Sequence, residues 1–137
     1  MSKNILRFLL TITGCTVALS TQASNMASDL DGEWRYTENQ CTDYFFFSEN
    51  HFKSVSNKET IEANVSVLPL PDNSPTQLQV NREVTYDSLG PDCGGVDKND
   101  TGKKDTRYIK FNTAKDQYAI CRNQQGTQCW GPIVKAQ

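Results

Sequence analysis

Residues 97–105 come nearer than any other part of this chain to a pattern that does chemistry. Oxygen-bearing side chains stand at the first, third, fifth and ninth positions and a glycine at the sixth: Asp97, Asn99, Thr101, Asp105 and Gly102. This is the first half of a calcium loop, in which hard oxygen ligands surround a sharp bend. The twelfth position lacks the glutamate of such loops, and three lysines lie nearby. We expect a solvated polar turn without metal or cofactor, with a weak calcium site as the alternative.

The single histidine, His51, is the first residue to consider for catalysis, because histidine is the usual general base near neutral pH. It follows a turn, and no serine or free cysteine stands in a recognisable nucleophile motif. The 16 Asp and Glu residues allow a pair of catalytic carboxylates, but their spacing singles out no pair. We therefore expect no enzymatic activity and no catalytic residue, with a small hydrolase as a less favoured alternative.

Aromatic residues fill positions 44–47 without interruption. In a strand, Phe45 and Phe47 point one way and Tyr44 and Phe46 the other. One face belongs to the core, and the other is either covered as well or is aromatic surface of the kind that interfaces use. The candidate binding residues are therefore Tyr44, Phe46, Asp97, Asn99 and Asp105.

The N-terminus has the organisation of a secretory signal peptide. Lys3 and Arg7 precede an apolar run over residues 8–19, and small residues follow up to Ala23. The run is shorter than the roughly 20 residues of a transmembrane helix. We predict a signal-peptide helix over residues 1–23 that is cleaved after Ala23, and a mature chain that is periplasmic or secreted and has no transmembrane span.

The mature chain divides into a loose leader over residues 24–29 and a single domain over residues 30–137. A different cleavage site lies before Cys15, because residues 12–15 resemble the lipobox of bacterial lipoproteins, in which the cysteine is lipidated. This alternative places the protein at the outer envelope through a lipid on Cys15.

Export changes the interpretation of the cysteines, because an exported protein folds in an oxidising compartment. Without Cys15, four cysteines remain, which indicates two disulfides with three open pairings. We favour Cys121–Cys129, which face each other across a predicted hairpin, and therefore Cys41–Cys93. The closest two cysteines have seven residues between them, which disfavours a zinc site.

The charge of the chain excludes one class of partner. Fourteen Lys and Arg against 16 Asp and Glu give a formal net charge of −2, and cleavage of the signal peptide makes it more negative. Binding to a phosphate backbone requires a concentrated basic surface. We therefore expect no interaction with nucleic acid.

Alternation of apolar and polar residues predicts strands throughout the mature chain and no helix. The predicted strands are residues 33–36, 43–47, 51–56, 61–67, 78–86, 108–111, 118–122 and 130–134. Arg82 interrupts the apolar row of its strand and is expected either near a barrel mouth or with its stem turned outward. Residues 88–105 show no alternation and predict a long loop. The fold class is all-β: a small antiparallel barrel or sandwich of seven to eight strands with two disulfides.

Residues 30–34, with Gly32 and Trp34, resemble the Gly-x-Trp opening strand of lipocalin-like barrels. They also resemble the start of small exported protease and lysozyme inhibitors, which are compact β domains with an early tryptophan. The resemblance covers five residues, and the later lipocalin motifs are absent. It implies a barrel in which Trp34 closes one end.

These features together predict an exported, non-enzymatic binding protein whose partner is an unidentified protein or small ligand. As a hydrolase inhibitor, it would insert residues 87–105, tethered at Cys93, into a cleft. A hollow apolar interior would instead favour a small ligand. The alternative is a structural or assembly protein of the envelope, anchored by lipid on Cys15.

Overall fold

The computed structural model describes residues 27–137, in which eight antiparallel strands close into one barrel in the order of the sequence. The strands are β1 (Gly32–Glu38), β2 (Cys41–Ser48), β3 (His51–Ser56), β4 (Glu59–Pro69), β5 (Leu78–Asp87), β6 (Lys104–Phe111), β7 (Gln117–Cys121) and β8 (Cys129–Lys135). The all-β prediction is confirmed, and the architecture is an up-and-down barrel. The predicted signal peptide and Cys15 lie outside the described residues.

Tight turns explain why the first four strands are neighbours. Each of the connections after β1, β2 and β3 has two residues, which is the shortest link between antiparallel strands. Asn39 and Gln40 both have positive φ (49° and 64°), as a type I′ hairpin turn requires, and Glu49 and Asn57 enter the same region. These turns fix the pairing of β1 to β4, and longer connections continue the meander.

The barrel closes where its first and last strands meet. Trp34 is opposite Lys135 and Arg35 is opposite Val134 in the β1–β8 pairing. The amide of Ala136 also donates to a β1 carbonyl over 2.9 Å. Because β1 and β8 pair with each other, the sheet has no free edge strand.

One end of the barrel is filled by large side chains. The indole Nε1 of Trp34 donates to the Leu30 carbonyl over 2.8 Å, and both side chains are almost completely buried. Tyr118 packs edge-on against Trp34 with ring centroids 4.7 Å apart. Burial raises the pKa of the Tyr118 hydroxyl far above its usual range. Trp34 thus closes one end, as the resemblance implies.

The two disulfides have the favoured pairing, Cys41–Cys93 and Cys121–Cys129. The second lies across the β7–β8 hairpin, where its two cysteines face each other. The first joins the start of β2 to the long loop after β5. This loop also lies across the β3–β4 turn, where the Lys58 amide donates to the Pro91 carbonyl over 3.2 Å. Disulfides are typical of proteins that fold in an oxidising compartment, which agrees with the predicted export.

Strand β6 begins at Lys104, four residues before the predicted start at Tyr108. The loop therefore covers residues 88–103, and Asp105 is in a strand. The first inward positions of β6 are Asp105 and Arg107, which face Arg82 and Val80 of β5. Charged residues at inward positions hid the alternation that would have predicted this half of the strand.

Residues 27–137 contain no helix that is both long enough and apolar enough to cross a membrane.

Candidate functional site

The barrel contains a cavity of about 210 Å³ near the end opposite Trp34. We call this the loop end, and it is bounded by residues 39–40, 57–58, 88–103 and 122–128. The cavity is partly enclosed, and its lining comes from seven of the eight strands. The Trp34 end, in contrast, is filled by the buried side chains of Leu30, Trp34 and Tyr118.

Aromatic rings form one wall of the cavity: Phe45, Phe47, Phe52 and Trp130. The ring of Phe52 lies 4.9 Å from that of Phe47 and 6.3 Å from that of Phe45, measured between centroids. Trp130 is 6.2 Å from Phe45 and 41% exposed, so it contacts both the cavity and solvent. Such a wall presents large, stiff apolar surfaces to a ligand.

Aliphatic side chains form the floor of the cavity: Val65, Val80, Ile109 and Ile120. Val65 and Val80 are 5% exposed and Ile109 is 1% exposed, because inward-facing positions of the adjacent strands β4, β5 and β6 lie next to one another here. The period-two row of β5 places Leu78, Val80 and Arg82 on this same inner face. This row of β5 therefore begins with Leu78 in the core and ends with the Arg82 guanidinium in the cavity.

Three charged side chains line the remaining wall. Arg82 donates hydrogen bonds to both carboxylate oxygens of Asp105, from Nε to Oδ1 over 3.2 Å and from Nη2 to Oδ2 over 2.7 Å. Arg107 reaches the same Oδ2 only at 3.7 Å and donates instead to its neighbour's carbonyl, that of Thr106, over 2.9 Å. The guanidinium of Arg82 also lies over the Phe52 ring, 5.6 Å from the centroid. The Arg82–Asp105 pair therefore joins the charged wall to the aromatic wall.

A bulge in β8 turns Trp130 towards the cavity. Ile133 is opposite Tyr118 and Trp130 is opposite Ile120, so β8 has one residue more than β7 between these pairs. Gly131 lies in the bulge with φ of +140°, and a Cβ there would be 3.1 Å from the Tyr118 carbonyl oxygen. Without this extra residue, period-two alternation from Ile133 would direct residue 130 outward.

The candidate residues of the polar string separate in the structure. Asp105 joins the cavity, whereas Asp97 accepts a hydrogen bond from the Gly90 amide and Asn99 from the Thr101 amide, both in the loop. Within residues 27–137, no group of three or more His, Cys, Asp or Glu side chains is arranged to hold a metal ion. The side chains of Asp97 and Asn99 thus stabilise loop backbone, and of these three residues only Asp105 lines the cavity.

The aromatic residues of β2 divide between two faces as expected. Phe45 and Phe47 point into the barrel, while Tyr44 and Phe46 point out. Tyr44 is 39% exposed and faces Arg35 across the strand pair, and Phe46 is half-buried. The outward pair is therefore partly exposed aromatic surface that does not contact the cavity.

His51 lies at the start of β3, exposed, at the Trp34 end of the barrel. Its neighbour Phe52 lines the cavity, and because side chains alternate along a strand, His51 points outward, away from the barrel interior. At the loop end, in contrast, burial and then the charges of Asp87, Asp92 and Asp100 raise the pKa of Glu59 to about 7. Glu59 follows the turn on which the long loop packs, so this acidic group lies where loop and barrel meet.

A more open depression of about 440 Å³ lies over β4, β5 and β6. Its outward polar side chains are engaged with one another: Asn81 accepts from Thr106 over 2.9 Å and donates to Ser66 over 3.5 Å. It borders Arg82 and Asp105, which belong to the interior cavity as well. Because an apolar, partly enclosed cavity retains a small molecule better than an open polar surface, we take the interior cavity as the site.

Comparison with known proteins gives no independent assignment: no family model, no curated protein and no solved structure matches this chain. The interpretation of the cavity as a site therefore rests on the geometry described above.

Sequence reasoning missed Arg107 and Trp130 as site residues. Position 107 could have been found by extending the period-two row of β6 back from Ile109, but the bulge that turns Trp130 leaves no comparable signal.

Proposed function

We propose that this protein binds one small, mainly apolar molecule inside the loop end of the barrel and is not an enzyme. A single observation carries the proposal: a barrel with a filled end contains a cavity of about 210 Å³ with aromatic rings on one side and an ion-pair group on the other. Apolar walls with a few convergent polar groups are typical of ligand sites.

The volume limits the size of the ligand. An apolar cavity of about 150 Å³ is enough to bind benzene, whereas sites for drug-sized molecules have about 300–1,000 Å³. The cavity here lies between these values, at about 210 Å³. A single ring with a short substituent, or a branched aliphatic chain of similar size, therefore fits best.

The long loop supports a small ligand better than it supports inhibitor action by loop insertion. Asp87, 8% exposed, accepts hydrogen bonds from the amides of Leu89 and Asp100, and Asp92 accepts one from Val96. The loop is also fastened to β2 by a disulfide. The carboxylates of Asp87 and Asp92 therefore hold the backbone of the loop in place on the barrel. This arrangement favours a loop that covers the loop end of the barrel.

Isothermal titration calorimetry with neutral single-ring compounds, such as phenol and benzyl alcohol, tests the proposal. Compounds of this size should saturate the protein with one site and a Kd on the order of 0.1 mM. Val80→Phe fills the cavity and should abolish binding. Val96→Phe makes the same change on the loop at a position that is 55% exposed, and should leave binding unchanged. Absence of saturable binding by the wild type, or equal binding by a folded Val80→Phe variant, would contradict the proposal.

A further inference from the structure

The charged wall of the cavity specifies the ligand more narrowly. We propose that the ligand is a monocarboxylate with a single-ring or similarly compact apolar body, and that Arg107 is the residue that selects its carboxylate. This inference rests on ligand binding inside the barrel. It adds to that function the chemical class of the ligand and a specificity-determining residue.

The argument begins with the balance of charge. Two guanidinium groups and one carboxylate line the cavity, which leaves one positive charge in excess. Arginine stays protonated in proteins, so this excess cannot be removed by deprotonation. Beside aromatic and aliphatic walls, an unpaired charge is unfavourable. An anionic ligand with one negative charge would balance the group, whereas a dianion would leave an excess of the opposite sign.

The two arginines are not equally available. Arg82 already makes two hydrogen bonds to Asp105 and lies over the Phe52 ring, so its orientation is fixed. Arg107 is 3.7 Å from the same carboxylate, which is beyond hydrogen-bonding distance, and donates one N–H to Thr106. A guanidinium has five N–H donors, so Arg107 has donors left for a ligand carboxylate.

The positions of the groups favour an amphipathic ligand in one orientation. Arg107 is opposite Val80 in the β5–β6 pairing, directly between the aliphatic floor and the ion pair. Its side chain is 37% exposed, so a ligand can reach it from the open side. The apolar body of the ligand would then lie among Phe47, Phe52 and Ile109. Asp105 acts as a positioning residue, because it holds Arg82 over the aromatic wall.

Benzoate and benzamide provide a direct test, because they share ring and shape and differ in charge. One hydrogen bond to a charged group changes Kd by about tenfold, so the wild type should bind benzoate about tenfold more tightly than benzamide. Arg107→Gln should remove this preference, because glutamine carries no positive charge to pair with the carboxylate. Arg35→Gln removes an arginine from the outer surface of the barrel and should keep the preference, which controls for net charge.

Two further variants keep the test decisive. Arg107→Lys retains the charge without the planar fork and should retain part of the preference. Asp105→Asn makes the cavity more positive and should strengthen benzoate binding relative to benzamide. Equal wild-type affinity for the two compounds, or a preference that survives Arg107→Gln, would overturn the anion selectivity and leave the proposed function standing. If neither compound nor any neutral ring binds, both proposals are wrong.

Discussion

Replacement of Asp105 by asparagine should destabilise the barrel more than its place in a polar segment suggests. Asp105 is 10% exposed and accepts two hydrogen bonds from Arg82, which is 23% exposed. The variant keeps the size of the side chain but leaves two guanidinium groups in the cavity without a counter-ion. The resulting cost is that of an uncompensated, largely buried charge.

The structure allows the magnitude to be bounded. Breaking a fully buried ion pair costs about 3–5 kcal/mol, and an exposed pair contributes about 0–1 kcal/mol. The Arg82–Asp105 pair lies closer to the buried limit. We expect Asp105→Asn to lower the free energy of unfolding by about 2–3 kcal/mol, which is about 1–2 M in the urea midpoint of a small domain.

Urea unfolding of the oxidised protein, followed by tryptophan fluorescence, measures this change. The matched control is Glu83→Gln, since Glu83 pairs with Lys104 on the outer face of the same two strands, one position away. These side chains are 51% and 72% exposed, so the control should lose less than about 0.5 kcal/mol. Arg82→Met combined with Asp105→Leu should recover most of the stability. A loss for Asp105→Asn no larger than for Glu83→Gln would refute the reasoning.

Three other changes follow from local geometry. Gly131→Ala should cost about 2–3 kcal/mol in urea unfolding, because φ is +140° and the new Cβ would meet backbone at 3.1 Å; Gly95→Ala, with positive φ and open space, should cost about 1 kcal/mol. Burial and nearby carboxylates raise the pKa of Glu59 from 4.5 to about 7, so the folded state binds more protons and stability falls as pH rises through that interval. Glu59→Gln should flatten this fall between about pH 5 and pH 8, and an unchanged profile would contradict the assignment. Removal of the Cys41–Cys93 disulfide, with a sequence separation of 52, should lower the free energy of unfolding by about 4 kcal/mol. Removal of the hairpin disulfide, with a separation of 8, should lower it by about 2.5 kcal/mol. Thermal or urea unfolding measures both losses, and equal losses would contradict the loop-length argument.

Much of the fold follows from local pattern. The short turn between β2 and β3 predicts a hairpin, the period-two alternation in β4 predicts a strand with one buried face, and facing positions in the last hairpin predict Cys121–Cys129. Alternation cannot distinguish a barrel from a sandwich, because both bury one face of every strand. The pairing of β1 with β8 decides this, and it is a contact between distant parts of the chain.

The candidate site was harder to predict, because its residues depart from the pattern that identifies strands. Asp105 and Arg107 occupy inward positions that a core strand would give to apolar residues, so β6 resembled a loop. The sequence predicts Arg82 either near a barrel mouth or with its stem turned outward, and the structure places it in the cavity at the loop end. A charged residue on an inner face becomes interpretable only when its counter-ion on the neighbouring strand is known.

A crystal structure of the protein soaked with 4-iodophenol, which is uncharged at neutral pH, tests the central claim most directly. The iodine gives an anomalous signal, and we predict one strong peak inside the barrel between Phe52 and Trp130, with none there in Val80→Phe crystals. Iodine peaks confined to the outer surface, with the interior unoccupied, would contradict ligand binding in the barrel.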